Sequence, residues 1–240
     1  MSSEVRHVVD GDRPYPLVRF SGVLDATTAG TVRDVLLEVL AGQPEAVVVE
    51  VGGLEIGEPA AVGVLHDIRR ATSCWPATHL TLCDARAEVW GGSGWAMCRD
   101  PAAAFAALGE PRSGDRIALE LEPRVGAARE CRTVITAACA EWGRAELAEP
   151  ACIVVTEMVN NVVAHAETSM IVLLASRDEA VSVAVRDRST VTPSYAGAPV
   201  SPTASGGRGM LLIDAVASRW GSLALADGKV VWALVTQPGT

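Results

Sequence analysis

Apolar positions along this chain change period and setting several times, and the changes mark out its elements. Near the start, residues 16–22 read as a strand reaching a turn. A helical pattern then runs through residues 31–40, with Asp25 as its expected N-cap. Residues 46–51 form a nearly continuous β-branched run, the signature of a strand covered on both faces. A second helix is predicted over 60–70 and a further strand over 80–83. Alternation of strands with helices argues for an α/β layer structure in this half of the chain.

The pattern differs beyond residue 150. Ile153, Val154, Val155, Met158, Val162 and Val163 predict an apolar helix, with Pro150 where proline suits a first turn. Glu157, Asn161 and His165 stand at i, i+4 and i+8 and so share one face. A carboxylate and a carboxamide pointing the same way suit metal or nucleophile chemistry. A solvent-facing polar stripe accounts for the same helix equally well. Residues 181–187 alternate as a strand and end in Asp187. Gly206, Gly207 and Gly209 lead into a helical pattern over 210–216. Glycines ahead of a helix let backbone approach a ligand and aim N–H groups at an anion. Their spacing fits neither G-x-G-x-x-G nor G-x-x-x-x-G-K-[ST], so alone they are equally a flexible loop.

Taken in order, the helix with Glu157 and Asn161, the strand ending in Asp187, the glycine loop and a last strand from Gly228-Lys229-Val230 resemble the GHKL-type ATP-binding fold. More narrowly, residues 116–236 are similar to the anti-sigma factor serine kinases of bacterial partner-switching systems. The resemblance implies ATP and Mg²⁺ as cofactors and a Bergerat α/β sandwich. It makes Asn161 the Mg²⁺ ligand, Glu157 the general base toward a serine hydroxyl, and Asp187 the acceptor for the adenine amine. Gly207, Arg208, Gly209 and Met210 become a glycine box near the phosphates, His165 a packing or lid contact, and residues 192–205 the lid. One departure stands out. The family's Asp-x-Gly-x-Gly is here Asp187-Arg188-Ser189-Thr190-Val191, without either glycine.

The first half, with Gly22-x-Leu24-Asp25, resembles the STAS domain of anti-sigma factor antagonists over about residues 5–110. Such antagonists carry Asp-Ser-Ser/Thr-Gly before a helix, and the serine is phosphorylated. Glu58-Pro59-Ala60-Ala61 stands there instead and offers no hydroxyl. The expectation is a STAS-like domain that keeps the shape and lacks the switch. The overall fold class is α/β and α+β: a STAS-like mixed sheet with helices, followed by a GHKL α/β sandwich.

Composition fits this division. The 240 residues suit two domains, 1–110 and 111–240, joined by a glycine-, proline- and charge-containing linker at 109–115. Hydrophobic residues make up 49% of the chain, but only two Phe and two Tyr contribute, so the cores should be aliphatic. Of the six Trp, Trp142 and Trp220 are expected near helix ends. A net charge of −9 with Lys229 as the single lysine argues against a nucleic-acid partner. No apolar stretch approaches the ~20 residues of a membrane span and no signal pattern opens the chain, so a cytoplasmic protein is expected. The six cysteines contain no C-x-x-C pair and read as free, mostly buried thiols. Residues 90–95, Trp-Gly-Gly-Ser-Gly-Trp, lack the lysine of a phosphate loop and read as a surface loop or as a shortened connection to the last helix of the STAS-like domain.

Three functions follow. The first is a kinase that uses Mg-ATP to phosphorylate a separate antagonist (STAS) protein, with a sigma factor as a second partner. The second is a non-catalytic switch in which the STAS-like domain docks on the kinase-like domain of the same chain. The third, a sensor histidine kinase fragment, lacks a preceding helical hairpin with an acceptor histidine. The resemblance also admits a homodimer through the ATP-binding domain.

Overall fold

A computed structural model describes residues 4–73, 75–76, 79–111, 116–177, 179–191 and 208–237. The chain divides into two compact units, Met1–Arg112 and Ser113–Thr240.

The first unit is built on a five-stranded mixed sheet in the order β1-β2-β3-β4-β5. Its strands are β1 (Val5–Asp10), β2 (Leu17–Leu24), β3 (Ala46–Ile56), β4 (His79–Cys83) and β5 (Ala96–Cys98). The β1–β2 pair is antiparallel and all the others are parallel. Val47, Val48 and Val49 are all fully buried, so β3 is covered on both faces, as its β-branched run predicts. The register of β2 against β3 shifts between Arg19 and Ser21. Gly53 of β3 sits there, where a Cβ would stand 2.8 Å from the Phe20 carbonyl oxygen.

Among the described residues this unit has four α-helices: α1 (Ala29–Ala41), α2 (Gly63–Ala71), α3 (Ala87–Trp90) and α4 (Pro101–Leu108). Val32, Leu36, Leu37 and Leu40 give α1 its buried stripe. Asp25 is not its N-cap. Thr28 holds that position, and the Asp25 carboxylate instead accepts the Thr27 and Thr28 amides at 2.9 and 3.1 Å, one turn earlier. Asp100 is a true cap of α4, its Oδ1 accepting the Ala103 amide at 2.9 Å with Pro101 in the first turn.

Residues 90–95 are better anchored than a surface loop. Trp90 is fully buried and donates through Nε1 to Asp84 Oδ2 at 2.8 Å, and Trp95 Nε1 donates to the Leu65 carbonyl at 3.0 Å. Among the described cysteines Cys83, Cys98, Cys131, Cys139 and Cys152 are free. Burial pushes the thiol of Cys83 up to about 12, and those of Cys131 and Cys139 up to about 11.

The second unit carries a fully antiparallel sheet in the order β6-β7-β8-β10-β9. Its strands are β6 (Arg116–Leu121), β7 (Met170–Arg177), β8 (Ala180–Asp187), β9 (Arg219–Leu225) and β10 (Gly228–Thr236). The helices are α5 (Ala127–Glu141), α6 (Ala148–Asn161) and α7 (Arg208–Val216). Alternate residues Val181, Val183 and Val185 of β8 and Val231, Ala233 and Val235 of β10 meet Ala151, Val154, Val155, Met158 and Val159 of α6 in one apolar core. Met170 from β7 and Met210 and Ile213 from α7 complete its end nearest the polar residues discussed below. Trp142 stands at the end of α5, and Trp220, on β9, donates through Nε1 to Asp214 Oδ1 near the end of α7 at 2.8 Å, so both tryptophans pack near helix ends as expected.

Among the described residues, the helical stretch Ala145–Ala166 has 22 residues and contains an 18-residue window of mean hydropathy 1.3, enough by length and composition alone to cross a membrane. Its apolarity has a local cause. Five of its residues, from Ala151 to Val159, face the sheet as core.

Candidate functional site

Glu157 and Asn161 lie one turn apart on α6, both half-buried, on a face distinct from the stripe that meets the sheet. The first turn of α7 closes over them. A Cβ on Gly209 would stand 2.6 Å from Glu157 Oε2, so only a glycine lets the helix start this close to the carboxylate. Asn161 Nδ2 donates to Met210 Sδ at 3.8 Å, and its Oδ1 takes no hydrogen bond among the described residues. The sequence separates these pairs by about 50 positions, and the fold brings them into contact. A carboxylate beside the N-terminal turn of a helix is electrostatically favoured, because free backbone N–H groups point outward there.

Just past Asn161 the α-helical ladder changes. Val162–Ala166 form a π-helical turn, closed by the Glu167 amide on the Val162 carbonyl at 2.8 Å with Glu167 left-handed at φ 52°. Such widened turns cluster at functional sites. His165 sits in this turn and is exposed, so it is not a packing residue. Its alternative role as a lid contact involves residues 192–205, which lie outside the described residues, as do Gly206 and Gly207. Arg208 is the first residue of α7.

Asp187 ends β8 on the same strand face as Val185, pointing from the core toward the strand end. It is 2% exposed, and Lys229 opposite it on β10 is 7% exposed. Lys229 Nζ donates to Asp187 Oδ1 at 2.9 Å and to the Ser189 carbonyl at 3.2 Å. The Ser189 amide returns to Asp187 Oδ1 at 2.7 Å. This ring fixes the loop that lacks the two family glycines. No left-handed backbone is needed for it, since Gln43 and Glu167 are the only described non-glycine residues with positive φ. The sequence marks Lys229 as the single lysine, near the start of the last strand, but only the strand register reveals its partner. Asp187 also lines a cleft of about 510 Å³ at this end of the sheet, with Leu121, Met170, Arg186 and Arg188.

No group of three or more His, Cys, Asp or Glu side chains among the described residues is placed to hold a metal ion. Asn161 Oδ1, a hard neutral oxygen without another partner among the described residues, fits a Mg²⁺ that is held chiefly by phosphate and water.

Residues 121–233 match the family of histidine kinase-like ATPase domains. The matched residues all lie in the second unit, which is the part of the chain similar to histidine kinase-like ATPase domains. The matched span runs from the last residue of β6 to the middle of β10 and includes every site residue named above.

Among solved structures, the chain is similar to the RsbU and RsbW domains of a Mycobacterium tuberculosis protein, at 20% identity and a TM-score of 0.39, covering 50% of this chain and 31% of that one. This chain thus spans about a third of the length of that relative. It is also similar to an anti-sigma factor antagonist from Mycobacterium paratuberculosis, at 16% identity and a TM-score of 0.37, covering 43% of this chain and 93% of the other. A variant of RsbS from Moorella thermoacetica aligns at 19% identity and a TM-score of 0.36, covering 43% and 94% of the two chains. Among curated proteins none matches this chain significantly.

Proposed function

We propose that the ATPase domain binds Mg-ATP and transfers its terminal phosphoryl group to a serine hydroxyl of a separate antagonist protein, within a partner-switching regulatory system. The observation that carries this reading is the contact of Glu157 and Asn161 with Gly209 and Met210 at the start of α7. Asn161 would hold Mg²⁺ through Oδ1, and the ion would supply charge neutralisation at the phosphates. Glu157 Oε2, beside Gly209 at the start of α7, would take the proton from the attacking hydroxyl. Asp187 would accept the exocyclic amine of adenine, which anchors the base at the end of β8 opposite the phosphates.

Charge and geometry support this division of labour. Phosphoryl transfer needs positioning and electrostatics more than covalent chemistry from the protein. A neutral amide oxygen at the metal and a carboxylate one helical turn away keep the base from competing for the ion. The alternative, a nucleotide-dependent docking module without catalysis, is favoured by one feature of the first unit. Glu58, Ala60 and Ala61 line a groove of about 350 Å³ between α1 and α2, and the stretch from 58 to 61 has no group to phosphorylate.

Calorimetric titration with Mg-ATP tests the site. The wild-type chain should bind and Asn161→Ala should not. Glu157→Ala should bind with near-wild-type affinity and lose phosphotransfer to an antagonist protein by about 10²–10⁴-fold, the usual contribution of a positioned base. Wild-type affinity in Asn161→Ala would remove the metal assignment, and phosphotransfer absent in the wild type despite binding would favour the docking module.

A further inference from the structure

Asp187 and Lys229 are half-satisfied in a setting where polar groups are normally filled. An ammonium has three donors, and Lys229 uses two, on Asp187 Oδ1 and the Ser189 carbonyl. Asp187 takes both of its hydrogen bonds on Oδ1, and Oδ2 accepts none among the described residues. A buried ion pair is held mainly by completing its hydrogen bonds, because desolvation offsets much of the charge attraction. Both groups are hydrogen-bonded, and what each keeps is unused capacity that a ligand at the strand end could meet. Here the spare capacity is one acceptor and one donor side by side.

We infer that Lys229 is a base-reading residue, which recognises the ring nitrogen next to the adenine amine while Asp187 takes the amine itself. This rests on the proposed ATP reading and adds to it a second polar contact. Adenine offers an exocyclic N–H donor beside the N1 lone pair, and the pair Asp187 Oδ2 and Lys229 Nζ offers the complementary acceptor and donor. Asp187 alone would sense only the amine. With Lys229 beside it, the pocket also tests for an acceptor at the neighbouring ring position. Oδ1 stays committed to Lys229 and the Ser189 amide, so the ring that orders the loop survives base binding. The close approach of Gly228 to the Asp187 carbonyl holds β10 against β8 where the two side chains meet.

The test changes the ligand before it changes the protein. Affinities of the wild-type chain are measured calorimetrically for Mg-ATP and for the 1-deaza analogue, in which ring N1 is replaced by C–H. Loss of a hydrogen bond from a charged donor should weaken the analogue about 10- to 100-fold. In Lys229→Met the two nucleotides should bind within about twofold of each other. The double variant Lys229→Met/Asp187→Asn, which removes both buried charges, should likewise show no preference and guards against misfolding of the single variant. Equal affinity of the wild type for the two nucleotides overturns the inference and leaves the ATP reading standing. A preference that persists in a folded Lys229 variant overturns it as well. Tighter binding of GTP than ATP would overturn the adenine assignment, and failure of the wild type to bind any nucleotide would overturn the ATP reading and this inference with it.

Discussion

Gly209 is in the first turn of a helix, where alanine would ordinarily be the better residue by up to about 1 kcal/mol. Its cost is repaid by proximity. A Cβ would press on Glu157 Oε2 at 2.6 Å, the mobile end of a half-buried side chain, and the nearest other atoms are Glu157 Cβ and Cδ at 3.6 Å. Gly209→Ala should therefore displace the carboxylate and leave the helix intact. The expected outcome is a melting temperature equal to or slightly above wild type, with phosphotransfer reduced by about 10–10²-fold, as for an ångström-scale misplacement of a catalytic group. Parallel thermal unfolding and activity assays check it. A large loss of stability would mean that α7 cannot move its neighbour aside, and full activity would mean that the position of Glu157 is not critical.

At the scale of elements, a hydrogen-bonded cluster at the ends of the parallel strands joins β3, β4 and α3. Asp84, just beyond β4, accepts Trp90 Nε1 at 2.8 Å, the Arg86 amide at 2.8 Å and Arg86 Nη2 at 2.9 Å. Arg86 in turn donates to the Gly52 and Leu54 carbonyls of β3 at 3.1 and 3.2 Å. Burial alone would raise the Asp84 carboxyl, but the hydrogen bonds from Arg86 and Trp90 outweigh it and hold it below the usual carboxylate range. A depressed folded-state value stabilises the fold above the unfolded value of about 3.9, and that contribution is lost as pH falls through the folded value. Asp84→Asn should lower stability at neutral pH by about 1–3 kcal/mol, since it weakens charge-assisted bonds from the buried Trp90 and the exposed Arg86 to a buried carboxylate. It should also flatten the stability loss of the wild type below pH 4. Denaturant unfolding across pH 2–7 checks both, and parallel curves for the two proteins would contradict the assignment.

How much of this was legible in the sequence varied with the range of the interaction. Strand β3 and helix α6 were readable because local periodicity and burial coincide in them. So were Glu157 and Asn161, since a helical repeat places i and i+4 together whatever the tertiary fold. Asp25 was misassigned because a carboxylate can serve a turn or a helix start with the same local sequence, and here it serves the turn while Thr28 stands at the N-cap position without a side-chain cap bond. The π-helical turn after Asn161 has no compositional mark in Val162-Val163-Ala164-His165-Ala166. The Lys229–Asp187 pair was out of reach of local reading, because register across β8 and β10, 42 residues apart in sequence, creates it.

Each unit of the whole molecule has its own sheet, which gives each the material for a cooperative unfolding transition of its own. Only the second contains the ATPase family match, so nucleotide should act on that unit's transition. A ligand that binds the folded state stabilises it by RT ln(1 + [L]/Kd), about 2.7 kcal/mol at a hundredfold excess over Kd. For a domain somewhat above a hundred residues, that corresponds to a rise in melting temperature on the order of 10 °C. Asn161→Ala should lack the rise, because its effect is on the ligand and not on the core formed by Val154, Val155, Met158 and Val159. Scanning calorimetry of the intact chain, with and without Mg-ATP, checks this directly. A rise in the wild type that is absent in Asn161→Ala would place nucleotide on the α6–α7 face. An equal rise in both proteins would mean that ATP binds elsewhere, and scans unchanged by saturating nucleotide would leave the ATPase-like fold as a protein-docking scaffold.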